Sequence, residues 1–371
     1  MDIQHIELMP GTPGTRTSFQ LLRFGAGLPG PKATIQAALH ADEVPAILVA
    51  QHLRARLTEL DAAGQLLGCI QLVPYANPLA LGQHVLGQHQ GRFDLADGVN
   101  FNRMHADLGQ TVAASVAKLL GSDAASNVRV IRAALREAAA KLKADNPAQD
   151  LKHKLLQIAI DSDIVLDMHC DSQAAMHLYA HSAHAALAQE LGSLLGARAV
   201  LLAAESGDSP FDEACSRPWA VLQQAFPELP VPMACFSPTL ELRGEADTHH
   251  AMAADDAKAI IEFLRRQGIV AGTPAPLPTA RCQPTPLAGS ESIVAPRAGV
   301  VVFKREPGEF VEAGAVIADL VDAETGAVQA LTCQGAGVLY ARISTRWATP
   351  GKRLAKIAGT STLRTGKLLS P

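Results

Sequence analysis

The sequence predicts an α/β fold with a mixed, largely parallel central sheet flanked by helices, followed by a small C-terminal all-β barrel-like domain. Three observations carry this. Strand-length apolar runs alternate with helical periodicity from residue 33 to about 270. Two of those runs, 33–39 and 164–169, lead into a histidine. Beyond residue 290 the helical period gives way to short Val-rich runs, Gly299-Val300-Val301-Val302-Phe303 and Val316-Ile317-Ala318-Asp319-Leu320, separated by turn pairs such as Pro307-Gly308 and Ala313-Gly314. The 371 residues divide accordingly. Residues 1–271 form the larger domain with its core at 33–270, 272–290 form a Pro-rich linker, and 291–371 form the barrel-like module.

In chain order, residues 1–32 carry turn formers around one expected strand, 18–24. The strand at 33–39 precedes a helix at 44–60, where Ile47, Leu48, Leu53, Leu57 and Leu60 recur near helical spacing, and a second strand at 69–73. Together these read as a βαβ unit. Parallel sheets place active sites at the carboxyl ends of their strands, where His40 lies. Residues 74–109 read as a long loop, of the kind that is usually functional or disordered. Alanine-rich helix at 110–145 breaks near Gly121-Ser122-Asp123, and a helix at 151–160 leads to the strand 164–169. Strands at 176–180, 199–203 and 234–242 alternate with helices at 183–195, 218–226 and 251–267.

Composition narrows the function. A hydrophobic share of 48% with 18% charged residues is that of a globular protein, and a net charge of −4 gives no basic field for nucleic acid. Met1-Asp2-Ile3-Gln4-His5 lacks the basic and apolar regions of a signal peptide, and no uninterrupted apolar run approaches the roughly 18 residues of a membrane span. A cytoplasmic protein with no membrane partner is expected. Six cysteines without C-x-x-C spacing read as reduced thiols, and Cys170 as a buried inert one.

His40 and Glu43, three residues apart, read as half of a metal site. A strand end places the imidazole, and the first turn of the next helix returns the carboxylate to the same side. Alone, H-x-x-E is a weak signal, and an isolated His on an apolar strand is ordinarily a core residue bonded to backbone. A second strand-terminal histidine, His169, reverses those odds. Two imidazoles, one carboxylate and an open position suit one zinc ion per chain. Asp167, two residues before His169 on the same strand face, is positioned to orient a ligand imidazole. Glu241 is the candidate general base, since alternation puts Thr239 and Glu241 on one face with Leu240 and Leu242 packed on the other. Arg103 with Asn102 suits a substrate carboxylate, and Arg92 a developing oxyanion. A rival cluster, His177, His181 and His184, is broken by Ser182, which reads as a helix N-cap.

These residues resemble those of the aspartoacylase and succinylglutamate desuccinylase family, a branch of the zinc carboxypeptidase superfamily. Its G-x-H-G-(D/N)-E motif corresponds to Ala38-Leu39-His40-Ala41-Asp42-Glu43, with alanine in place of both glycines. Its D-L-H strand end corresponds to Asp167-Met168-His169, and its catalytic T-x-E-x-G-like strand to Thr239-Leu240-Glu241-Leu242-Arg243-Gly244. Its D-L-N-R carboxylate-binding motif corresponds to Asn100-Phe101-Asn102-Arg103, which keeps the last two residues. The tail is similar to a biotinyl/lipoyl module but has no lysine between Lys304 and Lys352, so no swinging cofactor is expected.

The resemblance implies a zinc carboxypeptidase-like fold and a zinc-dependent hydrolase that cleaves the amide bond of an N-acyl amino acid. His40, Glu43 and His169 would be its metal ligands and Glu241 its catalytic base. The expected partner is that small molecule, and the sequence is compatible with a homo-oligomer. A metallocarboxypeptidase or ester hydrolase using the same site, and a non-catalytic binding protein acting through the C-terminal barrel, remain as alternatives.

Overall fold

The structure, a computed structural model, describes residues 1–361 and Leu368. Its larger part is built on a nine-stranded sheet. In chain order the strands are β1 (Asp2–Glu7), β2 (Ser18–Phe24), β3 (Lys32–Ala37), β4 (Cys69–Val73), β5 (Ile164–Asp171), β6 (His177–His181), β7 (Ala199–Ala203), β8 (Thr239–Gly244) and β9 (Pro284–Pro286). Across the sheet they run β1-β2-β4-β3-β5-β8-β6-β7-β9. Five of the eight pairings are parallel and three antiparallel, so the sheet is mixed and largely parallel.

The main helices in chain order are α1 (Pro45–Ala62), α2 (Gly109–Val116), α3 (Ala124–Ala140), α4 (Pro147–Ala159), α5 (Ala185–Leu195), α6 (Phe211–Ala225) and α7 (His250–Arg266). α1, α5 and α7 bury one sheet face together with Ile35, Leu166, Met168, Leu240 and Leu242. α2, α3, α4 and α6 pack on the other side. Because side chains alternate along a strand, the positions between those apolar residues, Gln36, Asp167, His169, Thr239 and Glu241, share the second face. The two apolar layers thereby decide which way the chemistry points.

Several boundaries differ from the sequence expectation. The opening segment holds a second strand, β1, paired with β2 at the sheet edge; it is almost wholly exposed, so it lacks the apolar alternation that marks a strand. α6 begins at Phe211 rather than 218, and Pro218 lies inside it; the acidic first turn of Asp212 and Glu213 was the missed start signal. α4 begins at Pro147, capped by Asn146, whose side chain accepts from Gln149 N–H at 2.8 Å. β8 starts only at Thr239, since Pro238 offers no N–H to a ladder. Upstream, Phe236 makes an isolated bridge to Ile164.

The C-terminal part comprises two antiparallel sheets. One orders Ser290–Val294, Arg353–Ala358, Gly337–Arg342 and Phe310–Val311, and the other Val328–Thr332, Val316–Val321, Gly299–Phe303 and Trp347–Ala348. Ile293, Val301, Ile317, Leu320, Leu339 and Leu354 fill the space between them. Gln173–Ala174, just beyond β5, pairs with Gly337–Arg342 and ties this unit to the large sheet. Tyr179, Leu201, Leu287 and Tyr340 form a buried seam there. Among the described residues, no helix is long and apolar enough to cross a membrane.

Candidate metal centre

β3 ends at Ala37, and the chain then turns sharply. Ala38 has φ 57°, a left-handed conformation that favours glycine. Glu43 precedes α1 rather than lying in its first turn, as the sequence had suggested. A tight turn does the work instead, with Glu43 N–H donating to His40 C=O at 3.2 Å. Gly91 packs against this turn so closely that a Cβ there would lie 2.0 Å from Asp42 N; its carbonyl accepts from Ala41 N–H at 3.0 Å. Replacing Ala38 by glycine should relieve roughly 1–2 kcal/mol of left-handed strain. About 0.4–1 kcal/mol is returned through the looser unfolded chain. A net gain of about 0.5 kcal/mol is therefore expected as a higher urea midpoint, and a lowered midpoint would show the turn to be unstrained.

His40, Glu43 and His169 are all buried, with one donor atom from each lying within 4.8 Å of the others. Glu43 bridges the two imidazoles: Oε1 is 2.8 Å from His40 Nδ1 and Oε2 is 2.7 Å from His169 Nδ1. Each ring is anchored through its other nitrogen. His40 Nε2 is 2.7 Å from Asn100 Oδ1, and His169 Nε2 is 2.9 Å from Asp167 Oδ2. Asp167 is in turn held by Gln36, whose amide donates to its Oδ1 at 2.8 Å. Outer acceptors on Nε2 leave Nδ1 as the inward donor on both rings, an arrangement usual for metal-binding histidines. With the His169 proton released, two imidazoles and a carboxylate in this array fit a zinc ion.

The electrostatics agree. Burial opposes ionisation of Glu43, yet His40 and His169 hold its carboxyl well below the usual carboxylate range. Burial, with Arg92 adding to it, pulls His40 down and keeps it neutral. Burial also opposes a charge on His169, but Asp167 and Glu43 outweigh it and carry the imidazole well above its usual value. The His169 imidazolium and the Arg92 guanidinium balance the Glu43 carboxylate, so a bound cation would replace the His169 proton.

Parallel pairing of β8 with β5 sets Glu241 opposite His169 and Thr239 opposite Asp167. Burial, with the Glu43 carboxylate adding to it, pushes Glu241 up to about 8. Its Oε2 is buried without a hydrogen-bond partner among the described residues. Arg92 Nη1 lies 3.2 Å from Glu43 Oε1 and 3.3 Å from His40 Nδ1, so its guanidinium stands at the donor set. Asn102 is buried, its oxygen accepting from Phe211 N–H at 2.8 Å and its amide nitrogen 3.3 Å from His169 Nε2. Arg103 donates to Asn102 C=O at 2.6 Å. His40, Glu43, His169, Glu241, Arg92, Asn102 and Arg103 all line one cavity of about 840 Å³. Tyr340, Arg342 and Lys356 reach the same cavity from the C-terminal part, and Lys356 pairs with Asp171 at 2.5 Å.

The rival histidines do not converge. His177 Nδ1 donates to Ala175 C=O, His184 Nε2 donates to Met233 C=O, and His181 Nδ1 accepts from Ala183 N–H. Cys170 turns its N–H, not its thiol, to Glu43 Oε2 at 3.0 Å. Residues that sequence reasoning missed are those acting at second hand. Asn100, at the Asp position of the D-L-N-R motif, still supplies an acceptor to His40. Lys152 on α4 donates to the carbonyls of Asn100 and Arg103 and so pins the loop between them. No local pattern marks such a residue.

The sequence profile of the succinylglutamate desuccinylase/aspartoacylase catalytic domain matches residues 29–223, more than half of the chain. Among solved structures, a succinylglutamate desuccinylase/aspartoacylase family protein from Shewanella amazonensis SB2B is 27% identical over 96% of this chain and 98% of its own, with a TM-score of 0.85. Its counterpart from Shewanella frigidimarina NCIMB 400 is 25% identical over 96% and 97%, with a TM-score of 0.85. A succinylglutamate desuccinylase/aspartoacylase from Rhodobacter sphaeroides, 16% identical over 97% and 96% with a TM-score of 0.67, shares the fold. Comparison with the curated proteins finds no match. The profile match, together with the buried His–Glu–His array at the carboxyl ends of adjacent parallel strands, shows that the chain belongs to the succinylglutamate desuccinylase/aspartoacylase family of hydrolases.

Proposed function

We propose that the protein is a zinc-dependent amidohydrolase that removes the acyl group from an N-acyl amino acid or a similar small acylated amine. The observation that carries the reading is the register of Glu241 beside His169 in a cavity that also holds His40 and Glu43. His40, Glu43 and His169 would hold the ion. When bound, zinc supplies Lewis acidity, lowering the pKa of a coordinated water from about 16 towards 7 and polarising a carbonyl. Glu241, desolvated and with one carboxylate oxygen that meets no donor among the described residues, takes the proton of the attacking water and returns it to the departing amine nitrogen. Arg92 steadies the oxyanion from its place beside the donor set, and Arg103 with Asn102 receives the carboxylate of the amino acid. A cavity of about 840 Å³ accommodates a small substrate of this kind. Six free cysteines are in keeping with a reducing, cytoplasmic setting.

The test is a zinc-replete panel of N-acyl amino acids, short peptides with a free C-terminus, and simple esters. Preference for N-acyl amino acids by at least about tenfold in kcat/KM is expected. Preference for peptides or esters would replace the deacylase reading with a carboxypeptidase or esterase one. Absence of turnover and of bound divalent metal would favour a non-catalytic binder.

A further inference from the structure

Behind the cavity, two lysines on α3 and α4 meet acids in the ordinary way, Lys141 with Glu137 at 2.6 Å and Lys154 with Asp150 at 2.7 Å. Lys152 on α4 is different. It is 7% exposed, and its ammonium donates to two backbone carbonyls, Asn100 C=O at 3.2 Å and Arg103 C=O at 2.7 Å. Burial pulls the amine down to about 8, while Asp97 and Asp94 favour its charge without pairing with it. The apolar face of the same helix shows the alternative: Leu151, Leu155 and Leu156 are all buried, so a position that needed only bulk would suit leucine. Burying an amine is costly, and the structure must gain something from what the ammonium holds.

It holds the two ends of a turn. Arg103 N–H donates to Asn100 C=O at 3.2 Å, and Asn102 N–H to Asn100 Oδ1 at 2.8 Å. The turn sends its side chains in fixed directions: Asn100 to His40, Asn102 to Phe211 N–H and towards His169, and Arg103 across Asn102 C=O to the cavity wall. On its far side the chain is laced to the loop before α6, Met104 N–H to Asp208 C=O at 2.8 Å and His105 N–H to Ser209 C=O at 3.0 Å. Met104 takes a left-handed φ of 57° to reach it, and strain of this sort persists only where the surroundings hold it. On its near side the hold is Lys152. Its bonds to the first and last carbonyls of the turn are charge-assisted, a class roughly twice as strong as bonds between neutral groups.

We infer that Lys152 is a positioning residue for substrate recognition: by clamping the ends of the 100–103 turn it fixes the direction from which Arg103 and Asn102 receive a carboxylate, and so sets the preference for acylated amino acids over acylated amines that lack the carboxylate. Lys152 itself lies outside the cavity lining and touches no substrate. The inference rests on the deacylase reading for the carboxylate, but the clamp itself does not. Placement matters at this scale, because a shift of about 1 Å in a positioned group costs about 100-fold.

Zinc-loaded wild type and Lys152→Met should be compared on the best N-acyl amino acid of the panel and on the N-acyl amine that lacks only its carboxylate. Wild type is expected to favour the amino acid by at least about 100-fold in kcat/KM. Lys152→Met is expected to lose at least about tenfold of that ratio, chiefly through KM for the amino acid. An unchanged ratio, or an equal loss on both substrates as from a merely structural residue, overturns the inference. In a second arm, hydrogen exchange read by mass spectrometry needs no substrate. The segment 100–105 is expected to exchange at least about tenfold faster in Lys152→Met than in wild type, with α4 and β5 unaltered; equal exchange in the two proteins overturns the clamp. Lys152→Gln, which keeps an amide donor, is expected to show both effects to a smaller degree and serves if Lys152→Met fails to fold. Preference of wild type for esters or peptides would remove the deacylase reading alone, since the comparison with and without a carboxylate can be made within the preferred class. Hydrolysis of N-acyl amino acids with a ratio that survives both variants would remove Lys152 alone.

Discussion

Replacing Glu241 by glutamine is expected to lower turnover about 10²- to 10⁴-fold, the range over which a positioned acid–base group acts, with zinc content unchanged. Glutamine has the same shape and still fits the pleat opposite His169, but it cannot accept a proton. Burial raises the Glu241 carboxyl to about 8 in the metal-free protein, with Glu43 adding to burial, and this gives a second readout. A carboxyl raised above its unfolded value of about 4.5 contributes stability that is complete at low pH and is lost as pH rises through about 8. Metal-free Glu241→Gln should therefore gain on wild type in melting temperature between pH 5 and pH 8. Retained activity on the best substrate of the panel would sink the assignment. A stability difference that does not change with pH would show that Glu241 is not desolvated as the structure has it.

Chelation is expected to abolish turnover reversibly, and Glu43→Gln to weaken zinc binding by at least about 100-fold. Even outer partners of metal-binding histidines are worth about 10- to 100-fold, and Glu43 is central to the donor set. Its two oxygens touch His40, His169, Arg92 and the Cys170 N–H. Arg92 stands against Oε1 of the same carboxylate, so its guanidinium would be at hand for a developing oxyanion were a metal held there. Metal analysis of dialysed wild type and variant checks the first point. Full activity in chelator-treated, metal-free protein would overturn the metal-dependent mechanism.

The elements most legible in the sequence were those with strong apolar patterns. Residues 164–169 could only be a buried strand, and the flanking alternation of Leu240 and Leu242 put Glu241 on the opposite face before any geometry was known. The Pro-x and small-residue stretches were less informative. The sequence suggests a helix only from Pro218, whereas α6 opens seven residues earlier at Phe211, with Asp212 and Glu213 in its first turn. β1 was invisible because an exposed edge strand has no apolar face to betray it.

The chain by itself determined the donor set of the site and the fold class. Ligand identity resides in side-chain chemistry, and an α/β order follows from hydrophobic period, both of which are local properties. Tertiary structure alone decided which donors meet. Strand register sets Glu241 against His169, 72 residues away in sequence. The left-handed turn at Ala38, backed by Gly91, returns Glu43 to His40 without the helix that had been expected to do it. Asn100, Gln36 and Lys152 acquire their roles only from what the fold packs around them. Burial and pairing across long separations are properties of the packed chain, and no short stretch of sequence encodes them.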